Sequence, residues 1–107
     1  METKSKAQTF IGFILRSRKY RVGCNSVATI KRANLIIVCH TSAENTVKEA
    51  ISFAKKFHCP LIKTKNKPLE VYINRPNEKV MAITDKALSK ALIENMENDF
   101  VSVEQEN

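Results

Sequence analysis

Glycine and proline are scarce, two and three residues in 107, and the chain has neither an internal repeat nor a low-complexity stretch. Fibrous and disordered chains are thereby excluded, and 43% hydrophobic with 27% charged residues is the composition of a globular protein. No apolar run approaches the roughly 18 to 20 residues that cross a membrane. The longest, residues 35–39, has the length of a buried strand. The polar residues 1–8 lack the apolar block of a secretory signal, so a cytoplasmic location without a membrane partner is expected. Three cysteines without close spacing make no disulfide framework and fit a reducing compartment. A chain this short builds one core, and the expectation is a single domain over residues 1–98 with an acidic, frayed tail over 99–107.

The patterns of catalysis are also sparse. Gly12 lies within a helical pattern and Gly23 stands alone, so there is no glycine-rich phosphate loop. Glu70 and Glu78 read as solvated loop charges rather than an acid–base pair. Each histidine adjoins a cysteine, at Cys39-His40 and His58-Cys59, where elements that a sheet can bring together end. Neighbouring strand residues point to opposite faces, however, and no C-x-x-C or H-x-x-x-H accompanies them. Buried structural cysteines and surface histidines are the simpler account. A Cys-His nucleophile lacks a third orienting group, although Cys24 at a helix start has the setting for some thiolate character. No catalytic residue, metal or cofactor is expected, and the protein is expected not to be an enzyme.

What the chain has is positive charge, unevenly placed. Eighteen Lys and Arg oppose eleven Asp and Glu, a formal net charge of +7. Residues 1–32 hold eight basic and one acidic side chain, residues 33–79 eight and four, and residues 80–107 two and six. The cations cluster at Arg16, Arg18, Lys19 and Arg21, at Lys31 and Arg32, and at Lys63, Lys65, Lys67, Arg75 and Lys79. Gathered on one face they would suit a polyanion; dispersed, they merely solvate the surface.

Helical and strand-like patterns alternate, the mark of an α/β fold. A first helix spans residues 7–18, with Phe10, Phe13, Ile14 and Ser17 inward and Ile11 and Leu15 widening the stripe. A second, over residues 24–32, puts Asn25, Thr29 and Arg32 on one outward face. Residues 35–39 form a central strand. A Thr41/Glu44 capping box starts a helix near Ser42, with Val47, Ala50, Ile51, Ala54 and Phe57 inward. Residues 61–62 and 80–84 are strands, 68–73 a short helix or turn, and 74–77 a loop. Asp85 caps a last helix that buries Ala87, Leu88, Ala91 and Leu92. Gly23-Cys24-Asn25-Ser26 lies at a loop-to-helix junction directly after the first basic cluster. Open helix-start amides attract phosphate, and Asn25 offers a donor and an acceptor to a base edge. Without a ligand, Gly23 is a turn and Asn25 a helix-terminal residue.

Several of these segments in order, Phe13-Ile14-Leu15-Arg16-Ser17-Arg18-Lys19, Gly23-Cys24-Asn25-Ser26, residues 35–39, Thr41-Ser42-Ala43-Glu44-Asn45-Thr46, Cys59-Pro60-Leu61-Ile62 and Val80-Met81-Ala82-Ile83-Thr84-Asp85-Lys86, resemble the kink-turn RNA-binding ribosomal-protein superfamily. The bacterial YlxQ-like branch is nearest, and the resemblance covers residues 8–95. It implies a three-layer α/β/α sandwich with a mixed four-stranded sheet. It further implies a non-enzymatic, monomeric RNA binder around ribosomal RNA, the ribosome or translation factors. The family grips bent RNA through a Gly-x-Asn-Glu helix start followed by Lys, and a later loop closes over a flipped-out nucleotide. Here Gly23 and Asn25 match, Ser26 stands for Glu and Thr29 for Lys, and the later loop falls at residues 74–80. The family's Glu-Leu-Gly reads Pro68-Leu69-Glu70. The expected RNA-binding set is Arg16, Arg18, Lys19, Gly23, Asn25, Ser26, Thr29, Arg32, Arg75 and Lys79. A protein-interaction scaffold of the same fold with a degenerate RNA site is the alternative that these departures imply.

Overall fold

A computed structural model describes residues 5–103. In chain order the elements are α1 (Lys6–Ser17), β1 (Tyr20–Val22), α2 (Cys24–Val27), β2 (Leu35–Val38), α3 (Glu44–Phe57), β3 (Leu61–Thr64), α4 (Leu69–Ile73), β4 (Val80–Ile83), α5 (Lys86–Glu94) and β5 (Phe100–Ser102). The strands make one mixed sheet in the order β1-β4-β2-β3-β5, so the chain is an α/β protein with five strands rather than the four expected. β2 and β3 are parallel, with α3 as their connection; every other pairing is antiparallel.

Every residue of β2 and β4 is buried, as their uninterrupted apolar runs require. Successive side chains of these strands enter two separate cores. Leu35, Ile37, Met81 and Ile83 pack with Ile11 and Ile14 of α1, Leu69 of α4 and Leu92 of α5. Ile36, Val38, Val80 and Ala82 pack with Val27 of α2 and with Ala50 and Ala54 of α3. Helices therefore cover both faces of the sheet.

α1 is capped by Ser5, whose hydroxyl oxygen accepts from the Gln8 N–H at 3.1 Å. Its buried stripe is Ala7, Ile11 and Ile14, whereas Phe13 lies 43% exposed, edge-on to Phe10. The predicted 24–32 helix shortens to the four residues of α2. Past Val27 the chain tightens: the Thr29 N–H and hydroxyl both donate to the Ser26 carbonyl, at 3.1 and 2.7 Å, and Ile30 N–H to the Val27 carbonyl. The Thr29 hydroxyl makes a local bond that competes with helix propagation, and the β-branched Val27, Thr29 and Ile30 lose side-chain freedom in a helix. The face that was to unite Asn25, Thr29 and Arg32 is consequently broken.

The Thr41/Glu44 capping box does not form either. The Thr41 hydroxyl accepts from the Lys79 ammonium at 2.9 Å and meets the Cys39 thiol at 3.0 Å, and α3 starts at Glu44 with Ala43 as its cap. Asp85 does cap α5, accepting from Leu88 N–H at 2.9 Å. There Leu92 is buried, Ala87 is exposed, and Ser89 turns inward instead.

The tail expected to fray from residue 99 instead supplies β5, paired antiparallel with β3. Phe100 is buried, its ring 5.2 Å from that of Tyr72, and the Ser5 hydroxyl donates to the Asp99 carboxylate. The remaining tail residues, 104–107, and the first part of the polar start, 1–4, lie outside the described residues. α1, α3 and α4 end on Arg18, His58 and Asn74 in left-handed conformation, φ 61, 54 and 55°. No helix among the described residues is long and apolar enough to cross a membrane.

Candidate nucleic-acid interface

The register of the strands fixes which basic residues can meet. At one end of the sheet Gly23 N–H donates to the Val80 carbonyl at 2.8 Å, and Val80 pairs with Val38. At the other end Thr84 N–H donates to the Lys19 carbonyl and Asn34 N–H to the Ile83 carbonyl. A strand of four residues separates the two ends by about 10 Å.

Along the outer edge of β1 runs a groove of about 500 Å³, lined by Leu15, Arg18, Tyr20, Arg21, Val22, Ser26 and Arg75. Three arginines from three places in the chain meet there: the turn after α1, β1 itself, and the loop after α4. All three are exposed and none belongs to an ion pair among the described residues. Arg21 also donates to the Tyr20 carbonyl at 2.9 Å, which steadies its guanidinium along the strand edge. Arg21 belongs to the predicted basic cluster but not to the predicted site. Its signal was the alternation Tyr20-Arg21-Val22, a short strand pattern masked by the charges around it.

Val22 and Ser26 are shared with an adjoining hollow of about 350 Å³, whose other walls are Gly23, Cys24, Asn25, Asn77 and Glu78. Asn25 is exposed and its carboxamide makes no hydrogen bond within the described residues. Gly23 has φ +90°, and a Cβ there would stand 3.0 Å from Glu78 Oε2. The carboxylate thus lies over the turn where helix-start amides were expected to take a phosphate, and like charge turns that phosphate away. The hollow is instead a mixed donor and acceptor surface: Asn25 and Asn77 offer both, Glu78 accepts only.

The other expected residues are placed elsewhere. Arg16 lies across Leu15 from the groove, beside a separate hollow with Gln8, Thr9 and Gly12, its guanidinium 5.1 Å from the Phe13 ring centroid. Lys19 pairs with Asp85 at 3.3 Å at the far end of the sheet, where Arg32 also lies, two residues before Asn34. Thr29 is used in closing α2. Lys79 is drawn inward to Glu70 at 2.7 Å and to Thr41. Glu70, expected to be a solvated charge, also accepts from Asn77 N–H at 2.9 Å and so pins both ends of residues 77–79. The Lys79 ammonium and the Asn77 N–H hold its carboxyl below the ordinary 4.5.

The cysteine–histidine pairs do not meet. Parallel pairing of β2 with β3 sends Cys39-His40 to one end of the sheet and His58-Cys59 to the other. Among the described residues no three His, Cys, Asp or Glu gather as a metal site. Cys24 does not carry the thiolate character its helix-start position suggested: burial and a hydrogen bond with Glu49 push its thiol up to about 11. Burial raises Cys59 to about 11. At Cys39 burial acts upward too, but hydrogen bonds from Thr41 and the Leu69 N–H outweigh it and hold the thiol below 9.0.

No protein-family model matches the chain, and no curated protein matches it. A solved structure of a protein described as of unknown function, from Bacillus halodurans, is similar to the chain with a TM-score of 0.76 at 18% identity. The likeness spans 87% of this chain and 98% of that one, and it is a likeness of fold.

Proposed function

We propose that the chain is a non-enzymatic RNA-binding protein related to the kink-turn superfamily, with its three-layer α/β/α sandwich extended by a fifth strand. It acts as a monomer in the cytoplasm, on ribosomal or another structured RNA around the ribosome and translation factors. The observation that carries the reading is the meeting of Arg18, Arg21 and Arg75 in one groove beside the Asn25–Glu78 hollow. Guanidinium groups bind phosphate oxygens through several N–H donors and carry no sequence information, so the groove holds and positions the backbone. Asn25, Asn77 and Glu78 then meet exposed base edges, Glu78 accepting from a base amino group.

The test is affinity for a kinked and a straight RNA of equal length, measured by fluorescence anisotropy over a salt series. Arg18→Ala with Arg75→Ala is expected to weaken both RNAs and to lower the salt slope by about two. Lys31→Ala with Arg32→Ala, at the far end of the sheet, leaves the slope unchanged. Asn25→Ala narrows the gap between the kinked and the straight RNA. Equal effects from the two basic pairs would overturn the groove as the interface.

A second reading, a protein-interaction scaffold, is favoured by the Glu78 carboxylate over Gly23 and by the neutralised Lys79. It predicts no salt-sensitive RNA binding and a partner contact that salt barely changes.

A further inference from the structure

The end of the sheet remote from Gly23 carries a recess of about 380 Å³ between the C-terminal end of α3 and one face of α5. It lies where the two cores approach each other, since Phe57 packs against one and Ile93 against the other, both only partly buried. With Cys59 and Pro60 these side chains give the recess an apolar wall, the kind of surface that takes a hydrocarbon ring.

Ser89 lies in the same wall, only 3% exposed, and its hydroxyl has no hydrogen-bond partner in the protein. A helical serine commonly bonds back to the carbonyl one turn earlier. Here the Asp85 carbonyl takes the Ser89 N–H, at 3.0 Å, but the hydroxyl makes no such back-bond. A buried hydroxyl without a partner is costly, and a polar group entering the recess would remove that cost.

Charge gives the polar group its sign. Lys86 and Lys90 line the recess three residues before and one after Ser89, so all three share one side of α5. Neither lysine enters an ion pair among the described residues. Glu94, also in the lining, is one helical turn from Lys90 but two from Lys86, about 12 Å along the axis. An anionic group therefore belongs at the Lys86 end and an apolar body toward Ile93.

We propose that this recess binds a small carboxylic acid with an apolar body the size of one ring. Its carboxylate sits between Lys86 and Lys90 and accepts from the Ser89 hydroxyl, and its ring lies against Phe57, Pro60 and Ile93. The site is independent of the arginine groove and does not rest on the RNA reading.

Benzoate is the probe and benzamide its neutral comparator, titrated into the whole protein and followed by amide chemical shifts. Benzoate is expected to shift Phe57, Ser89 and Ile93 together with a Kd on the order of 1 mM. Benzamide is expected to bind about five-fold more weakly. Lys86→Ala with Lys90→Ala, both exposed positions, removes that difference without changing the fold. Ser89→Ala weakens benzoate about three-fold. Shifts that are absent, or scattered over the basic surface, would overturn the site, as would equal binding of the two probes. Unchanged benzoate affinity in Ser89→Ala would mean the hydroxyl serves a hydration site only and would overturn its role as ligand donor.

Discussion

Gly23 and Glu78 control the hollow from opposite sides. At φ +90° any side chain at position 23 is strained, and the added Cβ also meets the mobile end of Glu78 at 3.0 Å. Gly23→Ala is expected to cost about 1–2 kcal/mol in chemical denaturation. Adding Glu78→Ala returns only a small part of that loss, because the backbone carries most of the strain. A full return would assign the cost to crowding instead. Glu78→Gln alone removes a negative charge beside three arginines, and non-specific RNA affinity is expected to rise about two- to five-fold. At this scale charge was legible and position was not. Arg18 and Arg75 stand in the cation clusters of the sequence, and both line the groove. Lys19 and Lys79 stand in the same clusters, yet each has a carboxylate partner 66 or 9 residues away, Asp85 or Glu70. Only the fold brings those partners into reach.

Among the elements, the loop between α4 and β4 is the one that the proposed RNA contacts depend on. It is held by Glu70, which accepts from Asn77 N–H and from the Lys79 ammonium, while Lys79 also reaches Thr41. Since the folded Glu70 carboxyl titrates below its ordinary 4.5, its contribution is complete above that value and is lost as pH falls through the lowered one. The Asn77 amide resonance should therefore move with a midpoint below 4.5, while the global fold persists. Glu70→Gln should loosen residues 74–79 already at neutral pH, seen as lower amide order parameters. A rigid loop in that variant would remove Glu70 as its anchor. The strongly patterned elements were readable: β2 and β4 as apolar runs, α3 from its stripe, α5 from its cap. β1 and β5 were not, because three-residue edge strands carry too short an alternation to stand out from charged neighbours. The helical spacing of the sequence continues past the end of α2, beyond the point where Thr29 bonds back to Ser26.

For the molecule as a whole, the fifth strand carries the described fold past residue 98. Phe100 is 2% exposed against Tyr72, so Phe100→Ala is expected to lower stability by about 3–5 kcal/mol. A frayed segment would lose almost nothing, and thermal unfolding separates the two outcomes. The net charge of +7 also resolves at this scale. It does not form one face: Arg18, Arg21 and Arg75 share the β1 edge, while Lys31 and Arg32 precede β2 at the far end of the sheet. With only two glycines to draw on, the chain closes α1 with Arg18 at φ 61°. Glycine at position 18 would relieve about 1 kcal/mol of strain while deleting one of the three groove cations. Breeding this protein for heat tolerance alone would therefore erode the grip on nucleic acid proposed for it, and Arg18→Gly should melt higher and bind RNA worse if that proposal holds.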